Sequence, residues 1–139
     1  MTISPHWDLD PQLARDTAAV GDLPLSRVLV SRDASYPWII LVPRRPGAVE
    51  MFDLTDADQA QVMCEIAQAG RVLKAVTACD KLNIAAIGNV VAQLHIHVVA
   101  RRREDAAWPK PIWGAGPAHT YRPDALDQFI ARLRRDLSL

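Results

Sequence analysis

The chain has 139 residues, 50% of them hydrophobic, and its 16 basic residues balance its 16 acidic residues. A chain of this length is expected to form one domain with a single core, and a formal net charge of zero gives no overall field that would attract duplex nucleic acid or an anionic membrane. The longest apolar runs, such as 38–42 and 84–87, are far shorter than the roughly 20 residues of a membrane-spanning helix.

The first residues show no basic start followed by an apolar stretch, so no secretory signal is predicted and a cytoplasmic location is expected. Cys64 and Cys79 form neither a zinc motif nor a disulfide framework, and both are expected to be packing residues. Arginines cluster at 44–45 and 101–103. Such clusters are more often solvated strand ends than binding sites for anions.

A short helix and a strand hairpin are predicted first along the chain. Asp10 followed by Pro11 is typical of a helix start, and the pattern predicts a helix from Pro11 to about Ala19. Two runs of β-branched and apolar residues, 25–31 and 38–42, flank a turn. They therefore predict two antiparallel strands.

A long amphipathic helix follows this hairpin. Thr55 is the predicted cap of a helix over residues 56 to about 77. Its apolar residues recur every three or four positions, which predicts one face packed on a sheet: Val62, Ile66, Ala69, Leu73 and Val76. Residues 81–87 and 91–101 then predict two further strands around a turn at Gly88 and Asn89.

The segment 102–122 is predicted to be a long loop that holds two tryptophans, Trp108 and Trp113. Loops of this length are uncommon and often functional, so this loop could cover a site. Large aromatic residues in a proline-rich loop more often anchor it than stack on a ligand, and anchoring is expected here. Pro123 opens a final helix with one apolar face: Leu126, Phe129, Ile130, Leu133 and Leu137.

Strands in adjacent pairs, separated by one long helix, favour an α+β fold over a doubly wound parallel sheet. We therefore predict a single domain over residues 1–139, with an antiparallel β-sheet, one long central helix and a C-terminal helix.

The predicted strand at 91–101 carries two of the four histidines of the chain. Because successive side chains of a strand point to opposite faces, the polar side chains share one face and the apolar side chains share the other: Gln93, His95 and His97 against Leu94, Ile96 and Val98. The pattern predicts a site on one face and a core on the other.

Two chemistries and one structural interpretation fit this pair of histidines. Imidazole is suited to nucleophilic or proton-transfer work near neutral pH, and it is also a common metal ligand. In the second case His6, His119 or Asp105 could complete a metal site, although His6 and His119 are otherwise expected at the surface. In the structural interpretation both imidazoles are satisfied by hydrogen bonds in a core.

The segment 83–99 resembles the signature of the histidine triad (HIT) superfamily, His-φ-His-φ-His-φ-φ with φ apolar. Gln93 stands where the first histidine of the triad normally lies, His95 matches the central histidine and His97 the last. The resemblance covers roughly residues 25–101, and the two ends of the chain are less informative. The Gln-Leu-His-Ile-His variant with Trp-Pro-x-Pro-x-Trp-Gly at 108–114 is similar to a group of bacterial histidine triad hydrolases.

This resemblance implies a nucleotide hydrolase or nucleotidyl transferase in which the central histidine attacks an α-phosphorus and forms a covalent nucleotidyl intermediate. His95 is the implied nucleophile, and His97, Gln93 and Asn89 are placed to donate hydrogen bonds to phosphate. The scheme needs no metal and no other cofactor. The substrate would be a nucleotide or a dinucleoside polyphosphate, while nucleoside phosphoramidates and sugar-linked nucleotides also fit.

Two departures from the family pattern bear on turnover. A neutral amide at Gln93 carries no proton at pH 7, and Val90 stands where many family members have a phosphate-binding Ser or Thr. A nucleotide-binding protein with little turnover is therefore an alternative, and a His-x-His metal-dependent enzyme is a further one.

The resemblance also implies further contacts of the substrate and an oligomeric state. Asn83 would lie near the leaving-group or ribose oxygens, and Ser31 and Asp33 near the ribose hydroxyls, although Asp33 fits a turn role equally well. Family members commonly pair two sheets edge to edge, so a homodimer is expected.

Overall fold

A computed structural model describes residues 6–139. Five strands form one antiparallel sheet in the order β1-β2-β3-β5-β4, and helices precede, interrupt and follow it. The elements in chain order are α1 (Pro11–Asp16), β1 (Thr17–Asp22), β2 (Ser26–Ser31), β3 (Trp38–Pro43), a 3-10 turn (Met51–Asp53), α2 (Asp56–Thr77), β4 (Lys81–Ala85), β5 (Ile96–Arg101) and α3 (Ala125–Asp136). The predicted α+β fold with a long central helix and a C-terminal helix is confirmed.

The sheet separates two apolar clusters. The larger cluster joins one face of the sheet to α2 and α3 and includes Leu94, Ile96 and Val98. The smaller cluster, on the opposite face, contains Ile40, which is paired with His97 across β3 and β5. The predicted division of the histidine strand between a core face and a polar face is therefore confirmed for these residues.

The long helix and the hairpin follow the sequence closely. Helix α2 spans Asp56–Thr77, and the hydroxyl of Thr55 accepts a hydrogen bond from the Asp58 N–H at 3.1 Å, as a helix cap does. The strands β2 and β3 pair antiparallel at the predicted positions. None of the helices within residues 6–139 has the length and apolar character needed to cross a membrane.

The predicted end of the first helix was wrong. The first helix ends at Asp16 rather than near Ala19, because Thr17 and the residues after it pair with β2 as strand β1. Tertiary pairing overrides the local helix pattern there. The Thr17 hydroxyl also donates to the Leu13 carbonyl at 2.6 Å, which satisfies an acceptor at the helix end.

The histidine strand is also shorter than predicted. It begins at Ile96 rather than at 91, and β4 ends at Ala85, so residues 86–95 form an irregular segment that we call the histidine segment. The Leu94 N–H bonds the Ala48 carbonyl instead of a neighbouring strand. Consequently Gln93 and His95 lie outside the regular ladder, and only His97 is a strand residue.

The cysteines are free, and they differ in environment. Cys79 is buried in the larger cluster, as expected of a packing residue, whereas Cys64 is exposed on α2. The expectation of packing was therefore wrong for Cys64, which lies on the side of α2 away from the buried stripe.

A buried carboxylate on α2 fastens the helix to the sheet. Glu65 is 1% exposed and accepts hydrogen bonds from the backbone N–H of Leu25 at 2.8 Å and of Ser26 at 2.9 Å. The Gln61 side chain donates to the same carboxylate at 2.9 Å. Three donors thus compensate for the burial of a charge that would otherwise be costly.

Replacing Glu65 by Ala should lower the free energy of unfolding by about 3 kcal/mol, because two buried N–H groups lose their acceptor. Urea denaturation of wild type and Glu65→Ala measures the difference. Glu104→Ala, at an exposed position of the 102–122 loop, is the matched control and should be near neutral. A loss well below 1 kcal/mol in Glu65→Ala would contradict the role assigned to this carboxylate.

Candidate active site

A cavity of about 700 Å³ lies on the sheet face opposite α2. This volume is within the range of small-molecule sites. Its walls come from four parts of the chain: the α1 region, the β2–β3 hairpin, the histidine segment with β5, and the 102–122 loop. The lining residues are Gln12, Leu13, Arg15, Asp16, Thr17, Ser31, Arg32, Asp33, Trp38, Ile40, Ile87, Asn89, Val90, Val91, His95, His97, Trp113, Ala118, His119 and Thr120.

His95 is held in one tautomer by the backbone of its own segment. Its Nδ1 lies 2.7 Å from the carbonyl oxygen of Gln93. Because a carbonyl only accepts, Nδ1 carries the proton in the neutral ring and Nε2 keeps its lone pair. His95 is only 5% exposed, yet it lines the cavity. The hydrogen bond therefore makes Nε2 the nitrogen with the lone pair in the neutral form of this sheltered ring.

His97 is kept neutral by its surroundings. The indole N–H of Trp38 donates to its Nδ1 at 2.9 Å, so the ring proton lies on Nε2. Burial lowers the pKa of His97 to about 4, the nearby His95 acts in the same direction, and a backbone hydrogen bond at Ile87 opposes both. At neutral pH His97 is thus an uncharged neighbour of His95, with ring centroids 4.9 Å apart.

Aromatic rings surround His97 on the cavity side. Trp113 packs edge-on against His97 with centroids 5.2 Å apart, and against Trp38 at 6.2 Å. Since Trp113 also lines the cavity, it both anchors the 102–122 loop and forms part of the wall. Trp108 does not line the cavity and matches the anchoring expectation.

The anchor of this loop is a buried ion pair. Arg101 is 1% exposed, and its guanidinium donates to both carboxylate oxygens of Asp105, at 2.8 and 3.0 Å. It also lies over the rings of Tyr36 and Trp108, 5.6 Å from each centroid. The hydrogen bond from Arg101 holds the pKa of Asp105 at about 2. Arg101 is therefore not part of a solvated cluster.

Asn83 belongs to the same anchor and not to the cavity. Its side-chain oxygen accepts a hydrogen bond from Arg101 at 2.7 Å, and it is absent from the cavity wall. The family resemblance implied a place for Asn83 near the leaving-group or ribose oxygens, although a role at the strand edge fitted it equally well. Its side chain is instead committed to the guanidinium, which supports the loop.

Ser31, Asp33 and Asn89 do lie on the cavity wall. Burial raises the pKa of Asp33, but hydrogen bonds from Ser35 and His119 outweigh this effect and hold the pKa below its usual value. One oxygen of Asp33 accepts the N–H of Ser35 at 2.9 Å and the N–H of His119 at 3.0 Å. Asp33 therefore combines the expected turn role with a place at the cavity.

His119 is a wall residue that the sequence reading missed. It is exposed, as expected, but its Nδ1 lies 2.7 Å from the hydroxyl of Ser35, and the segment 118–120 borders the cavity. The contact joins residues 84 positions apart. No spacing rule could have found it, although the unusual length of the loop was a general signal.

Gln93 lies on a second, smaller space. A cavity of about 230 Å³ is lined by His95 and Gln93 on one side and by Val49, Glu50 and Met51 on another. His95 and Asn89 border both spaces. His95 thus lies where a large, mostly apolar cavity meets a small polar one.

Within residues 6–139, no three His, Cys, Asp or Glu side chains lie close enough together to hold a metal ion. Of the residues considered as third ligands, Asp105 is bonded to Arg101, and His6 pairs with Asp8 at 3.0 Å.

The family model for the HIT domain matches residues 12–104. The chain belongs to the histidine triad family. A histidine triad protein from Bradyrhizobium japonicum is 54% identical, with a TM-score of 0.94, and the match covers 96% of this chain and 99% of that one.

Two further solved histidine triad proteins are similar over nearly the full length. One from Sinorhizobium meliloti is 41% identical, with a TM-score of 0.91 and coverage of 94% of this chain and 96% of that one. One from Marinobacter aquaeolei is 35% identical, with a TM-score of 0.93 and coverage of 96% and 98%. None of the curated proteins compared with the chain matches it.

The lowered pKa of His97 predicts a pH-dependent stability. His97 has an ordinary pKa near 6.5 in the unfolded state and a pKa of about 4 in the folded state. Because the unfolded state binds the proton more readily, the contribution of His97 to the free energy of unfolding is complete above pH 6.5 and is lost as pH falls toward 4. Between pH 7 and pH 5 this group alone should lower the free energy of unfolding by about 2 kcal/mol.

Urea denaturation at pH 7 and pH 5 tests this expectation with two variants. His97→Gln should lose most of the pH dependence between these values, whereas His6→Gln, at an exposed histidine, should keep it. If His97→Gln and wild type lose the same stability on acidification, then His97 does not titrate as assigned.

Proposed function

We propose that the protein is a nucleotide hydrolase or nucleotidyl transferase that acts through a covalent nucleotidyl intermediate on His95. The observation that carries this proposal is the hydrogen bond from Nδ1 of His95 to the Gln93 carbonyl, which makes Nε2 the nitrogen with the lone pair in the neutral ring of a residue that lines the large cavity. Membership of the histidine triad family supports the same chemistry at the level of the superfamily, which includes nucleotide-binding hydrolases and transferases.

The reaction has two displacements at phosphorus. The Nε2 lone pair of His95 attacks the α-phosphorus, a P–N bond forms, and the bond to the leaving group breaks with its electron pair. The leaving group takes up a proton from solvent. A water molecule then attacks the same phosphorus, the P–N bond breaks, and a nucleoside monophosphate leaves while the water proton passes to solvent. In a transferase another hydroxyl or amine replaces the water.

The hydrogen bond of His95 and the uncharged state of His97 suit this scheme. A protonated His95 would have no lone pair for the attack, and a charged His97 at 4.9 Å between ring centroids would raise the cost of any further positive charge. When the P–N bond forms, His95 becomes cationic, and the Gln93 carbonyl stabilises the Nδ1–H of that cation. We propose that His97 keeps the local environment uncharged before the attack.

The residues that line the two cavities suggest which groups contact the substrate. We propose that the nucleoside occupies the large cavity with Ser31 and Asp33 near the ribose, and that Asn89 lies beside the phosphate next to His95. The leaving group would then extend toward the small polar cavity, which shares His95 and Asn89 with the large one. Dinucleoside polyphosphates, phosphoramidates and sugar-linked nucleotides are the substrate classes to test, and no cofactor enters the scheme.

A second candidate function is nucleotide binding with little turnover. It is favoured by Gln93, because its amide cannot transfer a proton and both ends of the amide are already hydrogen-bonded elsewhere. In that case nucleotides bind in the cavity, but the leaving group departs slowly.

His95→Ala should lower turnover by about a thousandfold or more, because the nucleophile is lost. The measurement is product release from the three substrate classes with wild type and variant, in the presence of a chelator. His6→Ala, at an exposed histidine outside the cavity, is the control and should keep its activity. Mass spectrometry after alkaline denaturation should show the nucleotidyl adduct on wild type only.

Other outcomes of this experiment select the other functions. Loss of wild-type turnover on chelation would identify a metal-dependent enzyme. Tight nucleotide binding without turnover by wild type would identify the binding protein.

The protein is also proposed to be a homodimer, joined through β4. Strand β4 is one edge of the sheet, whereas at the other edge α3 packs against β1. An uncovered edge strand readily pairs with another chain, and Ile84 on β4 is 53% exposed. A cytoplasmic location remains a prediction from the sequence.

Ile84→Lys should shift the protein from dimer to monomer, because a charge replaces an apolar side chain in the proposed interface. Analytical ultracentrifugation at micromolar concentration measures the change. Phe52→Lys, at a residue that is 78% exposed on the 3-10 turn, is the control and should stay dimeric. Monomeric wild type, or a dimer that survives Ile84→Lys, would contradict this interface.

A further inference from the structure

The side chain of Gln93 is hydrogen-bonded to the N-terminal segment and not within the histidine segment. Its amide oxygen accepts the N–H of Asp10 at 2.9 Å, and its amide nitrogen donates to the carbonyl of Asp8 at 2.8 Å. Both partners are main-chain atoms, 83 and 85 residues away. One neutral side chain thus serves as donor and acceptor at once.

The segment that Gln93 holds is built into the cavity face of the sheet. Trp7 and Leu9 pack on a cluster that contains Val91 of the histidine segment and Leu13 of α1. Asp10 itself caps α1, since its carboxylate accepts the N–H of Gln12 at 2.8 Å. The backbone that Gln93 binds is therefore the backbone that starts α1.

Helix α1, which begins at this contact, forms part of the wall of the large cavity. Gln12, Leu13, Arg15 and Asp16 line the large cavity. The carbonyl of Gln93 meanwhile accepts the Nδ1–H of His95. A single residue thus touches the nucleophile through its backbone and the start of one cavity wall through its side chain.

We propose that Gln93 is a positioning residue that ties the N-terminal segment to the histidine segment, so that α1 forms a wall of the substrate cavity next to His95. This role differs from the hydrogen bond to phosphate that the sequence resemblance implied for Gln93. It rests on the proposed function in one respect, namely that a nucleotide occupies the cavity.

The chemistry of an amide explains the choice of residue for this role. Glutamine offers an N–H donor and a carbonyl acceptor at every ordinary pH, whereas a carboxylate of the same shape only accepts. In Gln93→Glu an ionised oxygen would face the Asp8 carbonyl and repel it. Protonation of that glutamate at acid pH would restore a donor.

The experiment compares hydrogen–deuterium exchange of residues 8–16 and the affinity for AMP in wild type, Gln93→Glu and Gln93→Ala, at pH 7.5 and 4.5. Each variant is normalised to wild type at the same pH. At pH 7.5 both variants should lose about tenfold in protection and in affinity, the size expected when a hydrogen-bonded group is left without its partner. At pH 4.5 Gln93→Glu should recover toward wild type and Gln93→Ala should not.

Two controls separate this effect from general damage. Gln59→Glu changes a similar bond, to the Leu54 carbonyl at the start of α2, and should leave residues 8–16 unaffected. Asp10→Pro removes the N–H that Gln93 accepts and fits the φ of −53° at this position, whereas Asp10→Ala removes only the cap. Asp10→Pro should therefore bind AMP more weakly than Asp10→Ala does. The difference between these two variants should match the loss of affinity in Gln93→Ala.

Unchanged protection in the Gln93 variants at pH 7.5, or no recovery of Gln93→Glu at pH 4.5, would overturn the tether. Lost protection with unchanged affinity for AMP would overturn the assignment of α1 as a wall for the ligand. If wild type fails to bind AMP, the proposed function and the wall assignment fail together, while the exchange data still decide the tether on their own.

Discussion

The two faces of strand β5 determine where the chemistry of this protein lies. Ile96 and Val98 point into the core that α2 and α3 cover, so the alternation of the strand sends His97 to the opposite face. Burying the two apolar residues is favoured by the hydrophobic effect, and turning the strand over would bury His97 in the apolar core instead. Packing on one side of the sheet thus positions an imidazole on the other.

Arg101 and Glu65 are fully buried charged residues that do not line the large cavity, whose wall includes Arg15, Asp16, Arg32 and Asp33. Arg101 is compensated by Asp105 and Asn83, and Glu65 by two backbone N–H groups and Gln61. Both groups of hydrogen bonds connect separate parts of the fold. Burial keeps His97 uncharged at neutral pH, while the Gln93 carbonyl holds the proton of the neutral His95 ring on Nδ1, so that Nε2 has the lone pair that a nucleophilic imidazole requires.

The parts of this fold that the sequence predicts well are those in which local pattern and tertiary packing agree. The stripe of α2 and the cap at Thr55 are examples, since spacing and capping chemistry point to the same helix. Residues 17–19 are the opposite case, because their local pattern continues α1 while pairing with β2 makes them a strand. Side-chain partners across long sequence separations were out of reach: the pattern indicates that Gln93 is polar and near His95, but nothing in it shows that residues 8 and 10 come to meet it.

The residues that line the large cavity lie partly within the family pattern and partly beyond it. The family pattern covers residues 12–104 and contains both histidines, while Trp113 and His119 lie beyond its end yet line the same cavity. The loop that carries them is fixed at its base by Arg101 and Asp105 and near its far end by the bonds of His119 to Ser35 and Asp33. Neither of these anchors involves the histidine segment. The residues of this loop can therefore differ between relatives without displacing β5. Both histidines therefore lie within the family pattern, while part of the cavity wall near them comes from residues beyond it.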